Sequence, residues 1–101
     1  MDVHVSIGNS DDKLSQGEWA LFCAAVENAV RASTGSIYGI WYSTPQSHWQ
    51  NMCIAFGIDG DDKPLRRELC YLAWLYQQDS LAWLQGDTEF IKGVNPDGAS
   101  R

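Results

Sequence analysis

Apolar and polar residues alternate at the start of the chain. Val3, Val5 and Ile7 fall on one side of His4 and Ser6, a period of two that predicts a β-strand with one apolar face. The turn formers Gly8, Asn9, Ser10, Asp11 and Asp12 end it. The period then becomes helical, with Trp19, Phe22, Cys23, Val26 and Val30 on one stripe. Ser15 stands at the N-cap position, and Glu18, three residues on, can reach back to its free amide, which makes a capping box. Gly35 suits the left-handed position that closes a helix, so the helix is expected to stop there.

Aromatic and β-branched residues fill 36–43, and Met52, Ile54, Phe56 and Ile58 alternate along 51–58. Both segments read as strands, and the short Pro-containing link between them predicts a hairpin. A second helix starts near Pro64, with Asp61 and Asp62 at the positive end of its dipole. Its buried stripe is Leu65, Leu69, Leu72, Ala73 and Tyr76. A last strand is expected over 80–84 with Leu81 and Trp83 on one face, followed at 88–91 by an edge strand or an extension. The order β-α-β-β-α-β is that of an α+β, ferredoxin-like sandwich: an antiparallel sheet with two helices on one face. Residues 1–92 form the single domain, and 93–101 a polar tail.

Asp11-Asp12-Lys13 and Asp61-Asp62-Lys63 lie 50 residues apart, and Trp19, Phe22, Cys23 and Val26 align at the same offset with Leu69, Leu72, Ala73 and Tyr76. Use of one βαβ unit twice and convergent helix-start chemistry both account for this echo.

The chain has 101 residues, 45% of them hydrophobic, and a net charge of -6. This acidity argues against direct nucleic-acid binding, which needs a basic footprint. No apolar run approaches the roughly 18 residues needed to span a bilayer, and the first residues do not resemble a signal peptide. Cys23, Cys53 and Cys70 have apolar neighbours and lack zinc-site spacing, so they are expected to be reduced core thiols of a cytoplasmic protein. The acids at 59, 61 and 62 fail the calcium-loop spacing, because Cys70 stands where a Glu is needed. No cofactor, metal or catalytic residue is expected.

Two groups of residues stand out as candidate contacts. Tyr38, Trp41, Tyr42, His48, Trp49, Gln50 and Asn51 form the densest run of polar-tipped aromatics and amides, which suits recognition of a polar, partly apolar partner. Asn9, Ser10, Lys13, Lys63, Arg66 and Arg67 are the candidate anion contacts, near two helix starts. One glycine at residues 7–14 is too few for a phosphate loop. Gln78, Asp79 and Ser80 read as a turn. An enzymatic reading would use His48 or Asp79 as a base. Both faces of the hairpin are apolar or aromatic, and an uncovered apolar sheet face predicts a homodimer or higher homo-oligomer.

The opening Val5-Ser6-Ile7-Gly8-Asn9-Ser10-Asp11-Asp12-Lys13-Leu14-Ser15-Gln16 with Trp19, the central Trp49-Gln50-Asn51 with Cys53, and Gln78-Asp79-Ser80-Leu81-Ala82-Trp83 with Thr88-Glu89-Phe90 resemble a group of small proteins encoded by phages of actinobacteria. No activity is established for that group. The resemblance implies context alone: an accessory protein made in a bacterial cytoplasm during infection. The expected function is a non-catalytic binding protein that counters a host defence function by holding a host protein. The alternatives are a sponge for a small nucleotide-like ligand and a small α+β barrel enzyme.

Overall fold

In the computed structural model the described residues are 1–9, 13–44 and 47–98. Six elements follow in order: β1 (Asp2–Gly8), α1 (Gln16–Ser33), β2 (Ile37–Tyr42), β3 (Asn51–Gly57), α2 (Lys63–Leu75) and β4 (Ala82–Gly86). The four strands form one antiparallel sheet in the order β2-β3-β1-β4. This is the α+β ferredoxin-like arrangement read from the sequence.

One face of the sheet and both helices share a single core. Val3, Val5 and Ile7 of β1 and Met52, Ile54 and Phe56 of β3 are buried with the two helix stripes. On α1 the buried residues are Trp19, Phe22, Cys23, Val26 and Val30, and on α2 they are Leu65, Leu69, Leu72 and Ala73. The two halves of the 50-residue echo thus pack on the same side of the sheet. Phe22 stacks on Tyr76 with ring centroids 5.0 Å apart.

The capping box forms. The Glu18 amide donates to Ser15 Oγ at 3.2 Å, and the Ser15 amide donates to Glu18 Oε1 at 2.9 Å. Leu14 and Trp19, at the two positions of a hydrophobic staple, are both buried in the core. At the start of α2, Asp61 Oδ1 accepts from the Lys63 amide at 3.0 Å, and Asp62 makes no side-chain cap bond.

Four local expectations are corrected. The first helix ends at Thr34, not through a left-handed Gly35. Thr34 is extended, its amide donates to the Val30 carbonyl, and its hydroxyl donates to the Gly57 carbonyl. The last strand begins two residues later than expected, because α2 closes with a full Schellman turn. There the Gln77 and Gln78 amides donate to the Trp74 and Ala73 carbonyls, with Gln77 at φ 59°. Leu81 and Trp83 still pack against the core. Residues 88–91 form no strand. Of the three cysteines only Cys23 is buried, whereas Cys53 is half-buried and Cys70 exposed. The reason is phase: Cys53 alternates with Met52 and Ile54 and so points to the opposite face, and Cys70 lies beside the stripe that holds Leu69.

That opposite face is uncovered by helices. Its cross-strand rows are Trp41, Cys53, Ser6 and Ala82, then Gly39, Ala55, His4 and Leu84. The Trp41 ring lies over Gly39, where a Cβ would stand 2.7 Å from the indole, so a side chain there would push the ring off the strand. No helix among the described residues is long and apolar enough to cross a membrane.

Candidate functional site

β1 ends, β2 ends and β3 begins at one end of the sheet, beside the N-terminus of α1. A cleft of about 540 Å³ lies there. Its floor is organised by Asn9, the buried polar residue at the end of β1. The Asn9 amide donates to the Gln50 carbonyl at 2.9 Å, which extends the β1–β3 ladder by one bond. Its side-chain Nδ2 donates to the Leu14 carbonyl and to Gln50 Oε1, each at 3.0 Å, and its Oδ1 accepts from the Leu14 amide at 3.1 Å. Gln50 Nε2 then donates to Gln16 Oε1 at 2.8 Å. Two side-chain amides therefore tie β1, the following loop, the hairpin loop and α1 together. Each bond orients the next group, so the cleft floor is pre-organised.

The walls come from the hairpin and α1. Tyr42, Ser43, Thr44, Ser47, His48 and Asn51 line one side, and Gln16 and Trp19 the other. The hairpin loop is held by Ser47 N–H donating to the Thr44 carbonyl at 3.0 Å, and by Asn51 Nδ2 donating to the Trp49 carbonyl at 3.1 Å. Burial, and then the nearby Cys23 and Glu27, raise the Tyr42 hydroxyl above the ordinary tyrosine value, which keeps it a donor. Volume and lining suit a small polar group or a peptide side chain.

The structure brings together four of the seven hairpin candidates: Tyr42, His48, Gln50 and Asn51. Trp49 sits in the same loop, 61% exposed. Tyr38 and Trp41 belong to the uncovered sheet face, where the Tyr38 hydroxyl donates to Asp2 Oδ1 at 2.7 Å. Gln50 is no loose loop position, because its side chain carries the Asn9 network.

The anion candidates do not converge. Asn9 is buried with its amide committed to Leu14 and Gln50. Ser10 lies outside the described residues. Lys13, beyond β1, pairs with Asp79 at 3.9 Å. Lys63, Arg66 and Arg67 lie in the first turns of α2, at the opposite end of the sheet. Arg66 Nε donates to Asp62 Oδ2 at 3.1 Å, its Nη2 donates to Gln85 Oε1 at 2.7 Å, and its guanidinium lies 4.3 Å from the Trp83 ring centre.

A second cleft, of about 390 Å³, was not foreseen. It lies between α2 and β4, with Arg66, Cys70, Trp74, Leu81 and Trp83 in its walls and the turn residues Gln78, Asp79 and Ser80 at one end. The sequence signal for it is Trp74, a large apolar residue off the buried stripe and 73% exposed. Among the described residues no three His, Cys, Asp or Glu side chains are close enough to hold a metal ion. No protein-family model, curated protein or solved structure matches this chain.

Proposed function

We propose that this chain is a non-catalytic accessory protein of a phage, acting in the bacterial cytoplasm as a homo-oligomer, and that it counters a host defence function by binding a host protein. The observation that carries this reading is the amide-floored cleft at Asn9 and Gln50, beside the exposed His48 and Trp49. The Asn9 and Gln50 amides are taken up by Leu14, Gln16 and one another. They hold the wall in place, so that Tyr42, His48 and Asn51 can meet peptide groups at little further ordering cost, and exposed Trp49 beside them adds contact area. The phage context rests on the resemblance of the opening, central and late motifs.

A protein target is favoured over a nucleotide-like one by the placement of cations. Lys13 lies at one end of the sheet and Lys63, Arg66 and Arg67 at the other, and a net charge of -6 repels phosphates at long range. One observation keeps the sponge as a second reading: the α2–β4 cleft brings a cation, Arg66, and an indole, Trp83, together, two groups that can contact a phosphate and a base.

Native mass spectrometry of the protein purified from infected cells separates these readings. A co-purifying host polypeptide, lost in His48→Ala with Trp49→Ala at unchanged melting temperature, supports the first. A bound nucleotide mass, lost in Trp83→Ala and retained in the hairpin variant, supports the second. Retention of the same host polypeptide by the hairpin variant overturns the site assignment.

A further inference from the structure

The uncovered sheet face and the segment after β4 both expose large apolar side chains. Tyr38, Trp41 and Leu84 are 60%, 55% and 68% exposed, and Phe90 and Ile91 are 90% and 94% exposed. We propose that this face is the contact surface for a second copy of the chain, and that residues 88–94 of each copy complete the contact. The inference rests on the homo-oligomer part of the reading above and is independent of the amide cleft.

Three observations select a second copy as the occupant. The first is charge. The chain carries 13 acids against 7 bases, yet along the strands the uncovered face holds Asp2 and His4 as its acid and base, besides the Tyr38 phenol and the Cys53 thiol. The Asp2 carboxylate already accepts from the Tyr38 hydroxyl and from the Thr88 amide and hydroxyl. A basic partner would be selected by a cluster of free carboxylates, whereas here Asp2 is taken up by Tyr38 and Thr88 and Asp87 stands at the rim beside Thr88. Two copies of this face meet with their acids confined to the rim at Asp2, Asp87 and Glu89, and interface cores are depleted of charge in this way.

The second is area. Four strands about 4.8 Å apart and some 20 Å long give a footprint on the order of 400 Å². A stable interface takes about 800 Å² from each partner. The sheet alone is too small. Phe90 and Ile91 supply most of the remainder, since a buried aromatic side chain contributes roughly 150–250 Å².

The third is placement. The bonds from Thr88 to Asp2 fasten the segment to the edge of the face, and Phe90 borders the same hollow as Tyr38 and Asp2. Past that point Phe90 and Ile91 stand almost fully exposed, outside the core of the sheet and helices. A segment held at its root, with exposed Phe90 and Ile91 between Glu89 and Lys92, is placed to lie against a neighbouring copy.

Sedimentation of the full chain across micromolar concentrations tests this. Wild type is expected to dimerise. Trp41→Glu with Leu84→Glu should give a monomer, and Phe90→Ser with Ile91→Ser should weaken the dimer by more than about tenfold. Trp74→Glu, on the exposed side of α2, should leave it unchanged. Leu84→Glu alone, at an exposed edge-strand position, is the fallback should the double variant fail to fold. A dimer that survives the sheet-face change and is lost in Trp74→Glu overturns this inference and leaves the homo-oligomer reading standing. A dimer unaffected by the changes at Phe90 and Ile91 overturns the role of residues 88–94. A wild-type monomer at the highest concentration overturns both, and the cleft reading is then judged by target binding alone.

Discussion

Asn9 holds Leu14 from both sides: its side-chain amide accepts from the Leu14 N–H at 3.1 Å and donates to the Leu14 carbonyl at 3.0 Å. The pair closes the loop between β1 and α1 as a short strand pairing would, with one side chain standing in for a backbone. Both residues are buried, so the groups they satisfy have no water to turn to.

Asn9→Ala should therefore destabilise the protein by about 2–4 kcal/mol, since two buried Leu14 groups lose their partner. Asn9→Asp keeps the acceptor for the Leu14 amide but turns a carboxylate toward the Leu14 carbonyl and Gln50 Oε1. Its folded-state pKa must rise, so stability is kept at low pH and lost as pH climbs through that value. Urea titrations at pH 4 and 7 check this, and an Asn9→Asp variant equally stable at both would contradict it.

Trp19→Ala should cost about 3–5 kcal/mol. Trp19 is buried at the head of the α1 stripe and meets Phe22 edge-on at 6.2 Å. Chemical denaturation reads the change directly, and a loss below about 1 kcal/mol would mean that the site refills without a cavity.

Gln77→Gly should stabilise the fold. A non-glycine residue in the left-handed region costs about 1–2 kcal/mol, and glycine's extra chain entropy takes back part of the gain. With φ at 59° the expected net effect is roughly 0.5–1 kcal/mol, or a rise in Tm of about 2–6 °C. Gln77→Ala, which keeps a Cβ, should show no such rise in the same melting experiment.

The three thiols should react in order of access. At pH 8 iodoacetamide should modify Cys70 first, Cys53 more slowly and Cys23 only on unfolding. Burial pushes the Cys23 thiol up to about 11. Its unfolded counterpart ionises near 8.5, so its contribution to stability is intact below that pH and falls as pH rises toward 11. Mass mapping of the alkylated sites gives the order, and early labelling of Cys23 would contradict the core.

Much of the fold was legible in the chain. The alternation of Val3, Val5 and Ile7, the stripe from Trp19 to Val30 and the Ser15–Glu18 box each appear where the spacing placed them. The hairpin candidates were only half separable. Tyr42 and Trp41 are neighbours in sequence, yet they serve opposite sides of the sheet, because side chains alternate and the β2–β3 register decides which side is covered.

What the sequence determined by itself is therefore local: the type of each element, the face it buries and the caps that start its helices. These depend on contacts between residues two to four apart, which periodicity records. The tertiary structure alone decided the rest. Asn9 and Gln50 are 41 residues apart, and they meet because β1 pairs with β3. Lys13 and Arg66 are kept apart because their helices start at opposite ends of the sheet. Thr88 reaches Asp2 because β4 lies beside β1. Such meetings are set by strand order and register, which emerge only when the whole core closes and no short stretch of chain can specify alone.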